Sequence, residues 1–411
     1  MRPFSKSLII MALSLATAAC ATPDRHGSVG GFPYPATHKP SPEEIQHVPT
    51  GLKITQDDLF TMIGGSRIVY VGEAHDSVNA HRVQLDIIRA LHQHSPGKIA
   101  IGMEMFRTPQ QLALNRWTEG KLTEVDFLKE ANWYGNWKSD FGYYRDILNF
   151  AKDYGLDVVA LNPSKVLQKE VSRSGIGHVS PEIRAQLPEI AEMDPYQRMV
   201  LKGLFSGHDQ SKGKVESMME VLSLWEESMA ENVVDYLSSK QGRDKQMVVI
   251  TGAWHVQYGF GVPKKVLRRL PVSYAIVLPR DITDDSHRKK HPGREMKVDL
   301  PEIPLLIADF IWMVEYKQLV SDKPKLGVWV SDQDGPVLIH AVAKGSPAEK
   351  AGILIGDEVL RFDGQSIHRD EDVYLYVSQK KVGDSATLSI RRNGKELNID
   401  VKLFRITGQQ P

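Results

Sequence analysis

The sequence predicts an α/β fold: a mainly parallel sheet with flanking helices and a helical insertion, followed by a C-terminal β-rich domain. Three apolar runs, at residues 68–71, 99–103 and 247–250, lack alternating polar positions, which is typical of strands buried in a parallel sheet. Helical periodicity separates these runs along the chain. From Lys325 onward, short β-branched segments alternate with glycines, which indicates a second domain of different architecture.

Residues 1–20 have the pattern of a secretory signal. Basic residues are followed by an apolar stretch and then by small residues that lead to Cys20, the only cysteine of the chain. This pattern resembles a bacterial lipobox, and the resemblance implies that Cys20 is lipidated and anchors the protein to a membrane. Ala21, which is not Asp, then favours the outer membrane, with the protein facing the periplasm. The alternative is a soluble secreted protein that loses Cys20 with its signal.

The rest of the chain divides into four segments. Residues 21–50 are rich in Pro and Gly, which predicts a flexible tether. Residues 51–285 are expected to form the α/β domain, with a helical insertion at about 164–241 where no strand pattern occurs. Residues 286–322 are expected to be a connector, and residues 323–405 the β-rich domain. With 51 basic and 51 acidic residues, the chain offers no net charge for binding nucleic acid, and we expect none as a partner.

Ionisable side chains follow three of the predicted strands. The first run leads to Glu73 and His75, the second ends at Glu104, and the third leads to His255. The carboxyl ends of parallel strands meet at one edge of a sheet, where α/β proteins bind their ligands. We therefore expect these four side chains to converge on one functional site.

The four side chains suit metal chemistry. His75, Glu104 and His255 make up two histidines and one carboxylate, a set that suits Zn, Mn, Co or Fe with open coordination positions. Glu73 would then act as a general base on a bound water, so all four residues are candidate catalytic groups. The structural alternative is that these histidines and glutamates only satisfy one another's hydrogen bonds.

The C-terminal domain carries a dense set of motifs. They are Leu326-Gly327-Val328, the Gly-Ser-Pro-Ala-Glu-Lys-Ala-Gly-Ile run at 345–353, and Gly-Asp-Glu-Val-Leu at 356–360. These motifs resemble a PDZ domain of the bacterial, protease-associated kind. The resemblance implies that the backbone around Leu326, Gly327 and Val328 holds the C-terminal carboxylate of a peptide that adds to the domain edge as a strand. The alternative is a PDZ fold that serves only as an intramolecular brace.

Residues 55–280 carry motifs of another family. These are Gly-Glu-Ala-His at 72–75, Met-Glu-Met-Phe at 103–106, a helix containing Trp225, and the run from Gly to Pro at 252–263. They resemble the ChaN-like proteins, iron-regulated bacterial lipoproteins assigned to haem uptake. The wider superfamily includes the Tiki/TraB metalloproteases and the erythromycin esterases. The resemblance therefore implies the fold and leaves open whether the protein is an enzyme.

The ChaN resemblance implies a haem, which would be non-covalent because the chain has no haem attachment motif. A haem needs an axial ligand and an apolar slot. Tyr258, His75 and His255 are the candidate ligands, and Tyr258 is the tyrosine nearest to the predicted strand ends. The implied partners are haem or another small ligand, peptide C-termini and, through the lipid anchor, a membrane; a homodimer stays open.

Haem or iron binding for uptake comes first among the functions that the sequence leaves open, because it is the usual assignment of the ChaN-like proteins. The second is a metal-dependent hydrolase, a peptidase or esterase, that uses His75, Glu104 and His255. Without a metal, His75 and Glu104 could activate water directly, as the esterase resemblance implies. The third makes the PDZ domain primary and the α/β domain its scaffold.

Overall fold

The computed structural model describes residues 39–137, 139–205, 212–282, 303–320, 323–333 and 335–405. The predicted signal, Cys20 and most of the expected tether lie outside these ranges. The chain divides into two compact units: the residues up to Gly120 with Tyr143–Leu319, and Lys121–Gly142 with the residues from Val320. Among the described helices, none is long and apolar enough to cross a membrane.

Eight strands of the first unit form one sheet. They are β1 (Ile45–His47), β2 (Leu52–Ile54), β3 (Ile68–Glu73), β4 (Ile99–Arg107), β5 (Asp157–Asn162), β6 (Gln246–Gly252), β7 (Tyr274–Ile282) and β8 (Phe310–Glu315). Their order across the sheet is β2-β1-β8-β7-β3-β6-β4-β5. All pairs from β8 to β5 are parallel, and β1 pairs antiparallel with β2 and β8. The mainly parallel sheet predicted from the sequence is confirmed.

Helices occur between the strands along the chain. They are α1 (Gln56–Gly64), α2 (Val78–His94), α3 (Gln111–Thr118), α4 (Glu124–Glu130), α5 (Trp133–Asn136), α6 (Arg145–Asp153), α7 (Lys165–Ser174), α8 (Pro181–Arg184), α9 (Pro195–Phe205), α10 (Lys212–Ser238) and α11 (Val262–Arg269). Between β5 and β6, the described residues contain helices and no strand, which confirms the predicted helical insertion.

The insertion also supplies part of the core. On α10, Met229, Val233 and Leu237 recur at helical spacing and are fully or almost fully buried. They pack in one cluster with Tyr70 of β3 and Val249 of β6. Because the central strands are buried on both faces, their sequences contain no polar alternation. This packing fixes α10 against the centre of the sheet, next to the strand ends.

The expected tether and connector each contain a strand of the sheet. β1 lies within residues 21–50, and β8 lies within residues 286–322. β8 is buried along all but its last residue, and it pairs with β7 on one side and β1 on the other. An apolar run of this kind needs partners for its backbone as well as its side chains, and a sheet supplies both. The folded domain therefore extends beyond 51–285 at both ends.

The second unit is β-rich. Its strands are β9 (Val328–Ser331), β10 (Leu338–Val342), β11 (Glu358–Phe362), β12 (Gln365–Ser366), β13 (Ser385–Arg392) and β14 (Lys395–Lys402), with helices α12 (Pro347–Lys350) and α13 (Asp370–Ser378). The strands run antiparallel in the order β14-β13-β11-β10-β9, and β12 pairs with β11. β9 is therefore an edge strand of this sheet.

The second unit also includes α4 and α5, which stand far from it in the sequence. The Asn132 side chain donates a hydrogen bond to Glu371 Oε1 of α13 at 3.0 Å. A Cβ atom on Gly135 would lie 2.5 Å from the same oxygen, so any larger residue there would displace the Glu371 side chain. The structural unit is therefore larger than the expected 323–405, because residues 121–142 complete it.

Candidate functional site

The ends of three adjacent strands form the candidate site. β3, β6 and β4 are neighbours in the sheet, and Glu73 stands opposite Gly252 in the parallel register. Glu73 and His75 follow β3, Glu104 lies near the end of β4, and His255 comes just after β6. Hydrogen bonds and ion pairs link these four side chains directly or through neighbours. The structure thus brings the four predicted site residues to one edge of the sheet.

Glu104 occupies the middle of this edge. The pairing of β4 with β5 is irregular around Glu104, and such bulges re-aim side chains at strand ends. Its Oε2 accepts hydrogen bonds from the Thr251 hydroxyl at 2.6 Å and from the Gly252 N–H at 2.7 Å. Its Oε1 lies 3.5 Å from Nε2 of His255. One oxygen of Glu104 is therefore held by β6, while the other faces a histidine.

Glu73 lies beneath His75 in a dense hydrogen-bond network. Its Oε1 is 2.6 Å from Nδ1 of His75 and accepts a 2.7 Å hydrogen bond from the Tyr144 hydroxyl. Its Oε2 accepts a 2.6 Å hydrogen bond from the Gln84 amide and lies 3.4 Å from Nδ1 of His81. Glu73 is fully buried. Four neighbouring side chains therefore surround this carboxylate.

This network corrects the predicted role of Glu73. A general base must reach the proton that it removes, but both oxygens of Glu73 are engaged by protein groups and shielded from solvent. Burial acts to raise the pKa of Glu73, yet the charge of His81 and the hydrogen bond to His75 hold it below its usual value. Glu73 is therefore an ionised anchor that orients His75.

A second buried carboxylate holds His255. Nδ1 of His255 lies 3.3 Å from Oε1 of Glu226, a fully buried residue of α10. Glu226 in turn forms a 3.0 Å ion pair with Lys265 and accepts hydrogen bonds from the Gln197 amide at 3.0 and 2.9 Å. The helical insertion thus contributes an orienting group to the strand-end site.

The two histidines share one arrangement. Each has Nδ1 against a buried carboxylate, which leaves Nε2 toward the edge of the sheet. A Cβ atom on Gly252 would lie 3.2 Å from Nε2 of His75 and 3.7 Å from Oε2 of Glu104. Glycine at this position therefore leaves room for His75 to approach Glu104. Histidines held in this way are typical metal or iron ligands and typical acid–base groups.

The carboxylates around His255 control its protonation. Burial alone would lower the pKa of His255, but Glu104 and Glu226 raise it to about 10. Burial likewise acts to raise the pKa of Glu104, yet the positive charge of His255 holds it well below its usual range. At neutral pH the site therefore contains an imidazolium between two carboxylates.

We expect the protein to lose stability in alkaline solution because of His255. Its pKa is 6.5 when unperturbed and about 10 in the folded protein, so its contribution to the free energy of unfolding is complete below pH 6.5. That contribution disappears as the pH rises through 10. Melting temperatures should fall more steeply with rising pH for the wild type than for His255→Gln. The exposed His94→Gln variant should follow the wild type, and equal slopes for wild type and His255→Gln would contradict the expectation.

Comparison with known protein families identifies the family of the domain that carries this site. The family model described as "Haem-binding uptake, Tiki superfamily, ChaN" matches residues 59–266, about half of the chain. The chain belongs to this ChaN family. A PDZ domain model matches residues 324–403. Both resemblances drawn from the sequence motifs are confirmed.

Individual relatives cover different parts of the chain. A solved structure titled "Cofacial heme binding to ChaN of Campylobacter jejuni" covers 67% of this chain and 96% of its own, with a TM-score of 0.51 and 15% identity, which shows the ChaN fold. A probable periplasmic serine endoprotease DegP-like from Marinomonas sp. is 40% identical over 72 residues, 18% of this chain and 15% of its own. Protein RETICULATA-RELATED 5, chloroplastic, from Arabidopsis thaliana is 25% identical over 271 residues, 60% of this chain and 34% of its own. The chain thus spans about a third or less of these two curated relatives.

Tyr258, the third candidate ligand of the ChaN domain, lies beside an apolar cluster. Its φ of +58° is uncommon for a residue with a side chain, and its N–H donates to the Ile307 carbonyl at 2.8 Å. Its ring stacks on Phe260 at 5.5 Å, within a cluster that includes Leu204 and Met219 of the insertion. Burial raises the pKa of Tyr258, although the charge of Arg280 acts in the opposite direction.

The predicted metal ligands form a hydrogen-bonded network rather than a compact ligand set. Their donor types fit a divalent ion. One group of three His, Asp or Glu ligand atoms within 4.8 Å of one another occurs among the described residues, and it lies in the second unit (Asp332, Asp370 and Glu371). His75, Glu104 and His255 do not form such a group there, and Oε2 of Glu104 is occupied by protein donors. A metal would therefore require these side chains to move.

The sequence did not predict the groups that orient His75 and His255. His81 and Gln84 lie on α2. Tyr144 lies in an aromatic segment, and such a segment also fits a buried hydrophobic core. Glu226 and Lys265 come from two further helices. One signal was present: Glu226 lies at helical spacing from Leu222 and Met229, on the apolar face of α10, and a buried carboxylate needs a partner. Its partner could not be named, because it lies 29 residues away in sequence.

The predicted peptide loop precedes the edge strand β9. Gly327 has a φ of +77°, a conformation that favours glycine. The carbonyls of Leu326 and Gly327 accept hydrogen bonds from Ala348 at 3.0 Å and Ala343 at 2.8 Å. Within the described part of the chain, the N–H groups of Leu326 and Gly327 donate to no protein acceptor. These amides and Val328, the first residue of β9, offer the surface expected for a peptide carboxylate.

Proposed function

We propose that this protein binds haem non-covalently at the strand-end site and serves haem or iron uptake in the cell envelope. The observation that carries the proposal is the arrangement of His75, whose Nδ1 is held by the buried Glu73 while Nε2 lies toward the sheet edge. The His75 side chain is 13% exposed, more than those of Glu104 and His255 at 7% and 9%. An imidazole anchored by a carboxylate is a strong axial ligand for iron.

Apolar surface near the strand ends supports the same function. A haem needs an apolar slot, and the cluster of Tyr258, Phe260 and insertion residues supplies apolar surface beside the segment that follows β6. Membership of the ChaN family supports a haem ligand independently. In this proposal His75 would hold the haem iron, since Tyr258 has a raised pKa and is less readily ionised. Bound haem would supply an iron centre, and His255 and Glu104 stand on the same sheet edge as His75.

Titration of haemin into the soluble protein, produced without its lipid, tests this proposal. We expect a saturable Soret shift that His75→Gln weakens by roughly 10-fold or more, because loss of an axial ligand removes the main attachment of the iron. Tyr258→Phe should leave the Soret position unchanged, and the exposed His94→Gln variant is the matched control. A Soret shift that depends on Tyr258 and not on His75 would reassign the ligand. Absence of haemin binding by the wild type would refute the function.

Two further parts of the proposal concern location and peptides. Lipidation of Cys20 would hold the protein on the outer membrane, facing the periplasm, and the periplasmic description of the DegP-like relative agrees with this compartment. The PDZ domain would capture peptide C-termini ending in an apolar residue. The donor groups of Leu326 and Gly327, together with the edge strand β9, support that binding mode.

A metal-dependent hydrolase is the second candidate, favoured by one observation. His75, Glu104 and His255 bring two imidazoles and one carboxylate to one sheet edge, the donor types that hold Zn or a related ion. The same purified protein separates the two candidates. A stoichiometric divalent metal without a haemin-induced Soret band would favour the hydrolase, and the reverse result would favour the haem protein.

A further inference from the structure

Arg107 ends β4, three residues after Glu104, and its bonding is unusual for an arginine at a strand end. One terminal nitrogen donates to the Pro163 carbonyl at 2.8 Å, and the other donates to Oε1 of Gln168 at 2.7 Å. Both acceptors are neutral. None of the hydrogen bonds or ion pairs of Arg107 within the described residues reaches a carboxylate.

The position of Arg107 makes the lack of a hydrogen-bonded counter-ion costly. Its side chain is partly buried, and burial lowers its pKa to about 10, with the charge of Glu104 acting in the opposite direction. The guanidinium therefore stays charged at neutral pH. A desolvated cation is normally paired with an anion, because burial of an unpaired charge is unfavourable. Arg107 uses two of its five N–H groups on the neutral acceptors, so donors remain for a ligand.

A second unsatisfied group stands beside Arg107. Asn162 is opposite Arg107 in the register of β4 and β5, and only 6% of it is exposed. Its amide N–H donates to the Glu104 carbonyl at 2.6 Å, while its Oδ1 has no hydrogen-bond partner in the protein. Buried polar atoms are rarely left unpaired in native structures unless a ligand or water completes them. A cation without a hydrogen-bonded anion and an acceptor without a partner therefore stand opposite each other in the strand register, next to the candidate site.

We infer that Arg107 binds a carboxylate of the ligand held at the strand-end site, and that for haem this carboxylate is a propionate. The inference rests on the proposed haem function and adds the group that recognises the ligand's anionic end. A guanidinium suits this task, since its planar N–H groups match the two oxygens of a carboxylate. Asn162 Oδ1 would accept a hydrogen bond from a water bound beside the propionate.

The test compares two ligands that differ only in charge: haemin, with free propionates, and haemin dimethyl ester, in the same detergent-containing buffer. We expect Arg107→Gln to weaken haemin binding about 10-fold or more, because a charge-assisted hydrogen bond is lost. The affinity for the dimethyl ester should stay within about 2-fold of the wild type, because the ester carries no propionate charge to lose. Arg107→Lys should retain part of the haemin affinity. The exposed Arg173→Gln variant, with its side chain 73% exposed, is the matched control.

Each other outcome counts against the inference in a different way. Equal weakening of both ligands, with a lower melting temperature, would mean that Arg107 only ties β4 to the Pro163 carbonyl and α7. Unchanged binding of both ligands by Arg107→Gln would overturn the inference while leaving the haem function standing. Failure of the wild type to bind haemin at all would refute the proposed function, and the inference with it.

Discussion

Replacement of Glu73 by alanine should lower the free energy of unfolding by about 3–5 kcal/mol, the range for removal of one partner from a buried ionic network. The change removes the acceptor of Tyr144 and Gln84 and the partner of His75 and His81, all in a buried site. Donors left without acceptors in such a site each cost free energy. His75 would also lose its orientation, so haemin affinity should fall roughly 10- to 100-fold. Chemical denaturation and haemin titration measure the two effects.

Two further variants separate the causes of this loss. Glu73→Gln keeps the shape and removes the charge, so we expect a smaller loss of stability, about 1–3 kcal/mol. Glu170→Ala removes an ion pair with Arg173 near the surface, where a pair contributes less than about 1 kcal/mol. If Glu73→Ala were no more damaging than Glu170→Ala, the network beneath His75 would not stabilise the fold.

Replacement of Gly261 by alanine should damage the site from the opposite side. A Cβ atom there would lie 2.3 Å from the His255 carbonyl oxygen and 2.6 Å from Oε1 of Glu226. Neither group can move freely, because the first is backbone and the second is fully buried. We expect a loss of about 1–3 kcal/mol from overpacking, together with weaker haemin binding as His255 is displaced.

A matched glycine provides the control. Gly64, the last residue of α1, would place a Cβ atom with nothing within 4 Å. Gly64→Ala should therefore leave haemin binding unchanged, and it should keep or raise stability by up to about 1 kcal/mol because alanine reduces the freedom of the unfolded chain. Similar denaturation midpoints for Gly261→Ala and the wild type would show that the loop before α11 yields, contrary to expectation.

Parts of this protein follow directly from local patterns in its sequence. The runs that end at Glu73 and Glu104 are uninterrupted apolar segments, and such segments predict buried parallel strands without knowledge of the fold. Because parallel strands end at one edge, the meeting of His75, Glu104 and His255 followed from the strands alone. The short strands and glycines after Lys325 likewise predict a β-rich domain, and its motifs resemble those of PDZ domains; each glycine or capping serine there meets a local backbone requirement.

Other features depend on contacts that no local pattern reveals. The sequence places Glu73 two residues from His75 but does not indicate that Tyr144 and Gln84 enclose it, which makes it an anchor instead of a base. β1 is only three residues long, too short for its sequence pattern to identify it as a strand before its partner strands are known.

The sequence by itself determined the central strands, the edge at which they end and the identity of the ionisable groups there, because an uninterrupted apolar run is a local property. The tertiary structure alone decided what each group does. Glu226 reaches His255 from α10, and Arg107 bonds only neutral acceptors opposite Asn162, through packing between distant segments. The role of an ionisable side chain depends on which groups surround it and how much water reaches it, and both are set only when the helices close over the sheet.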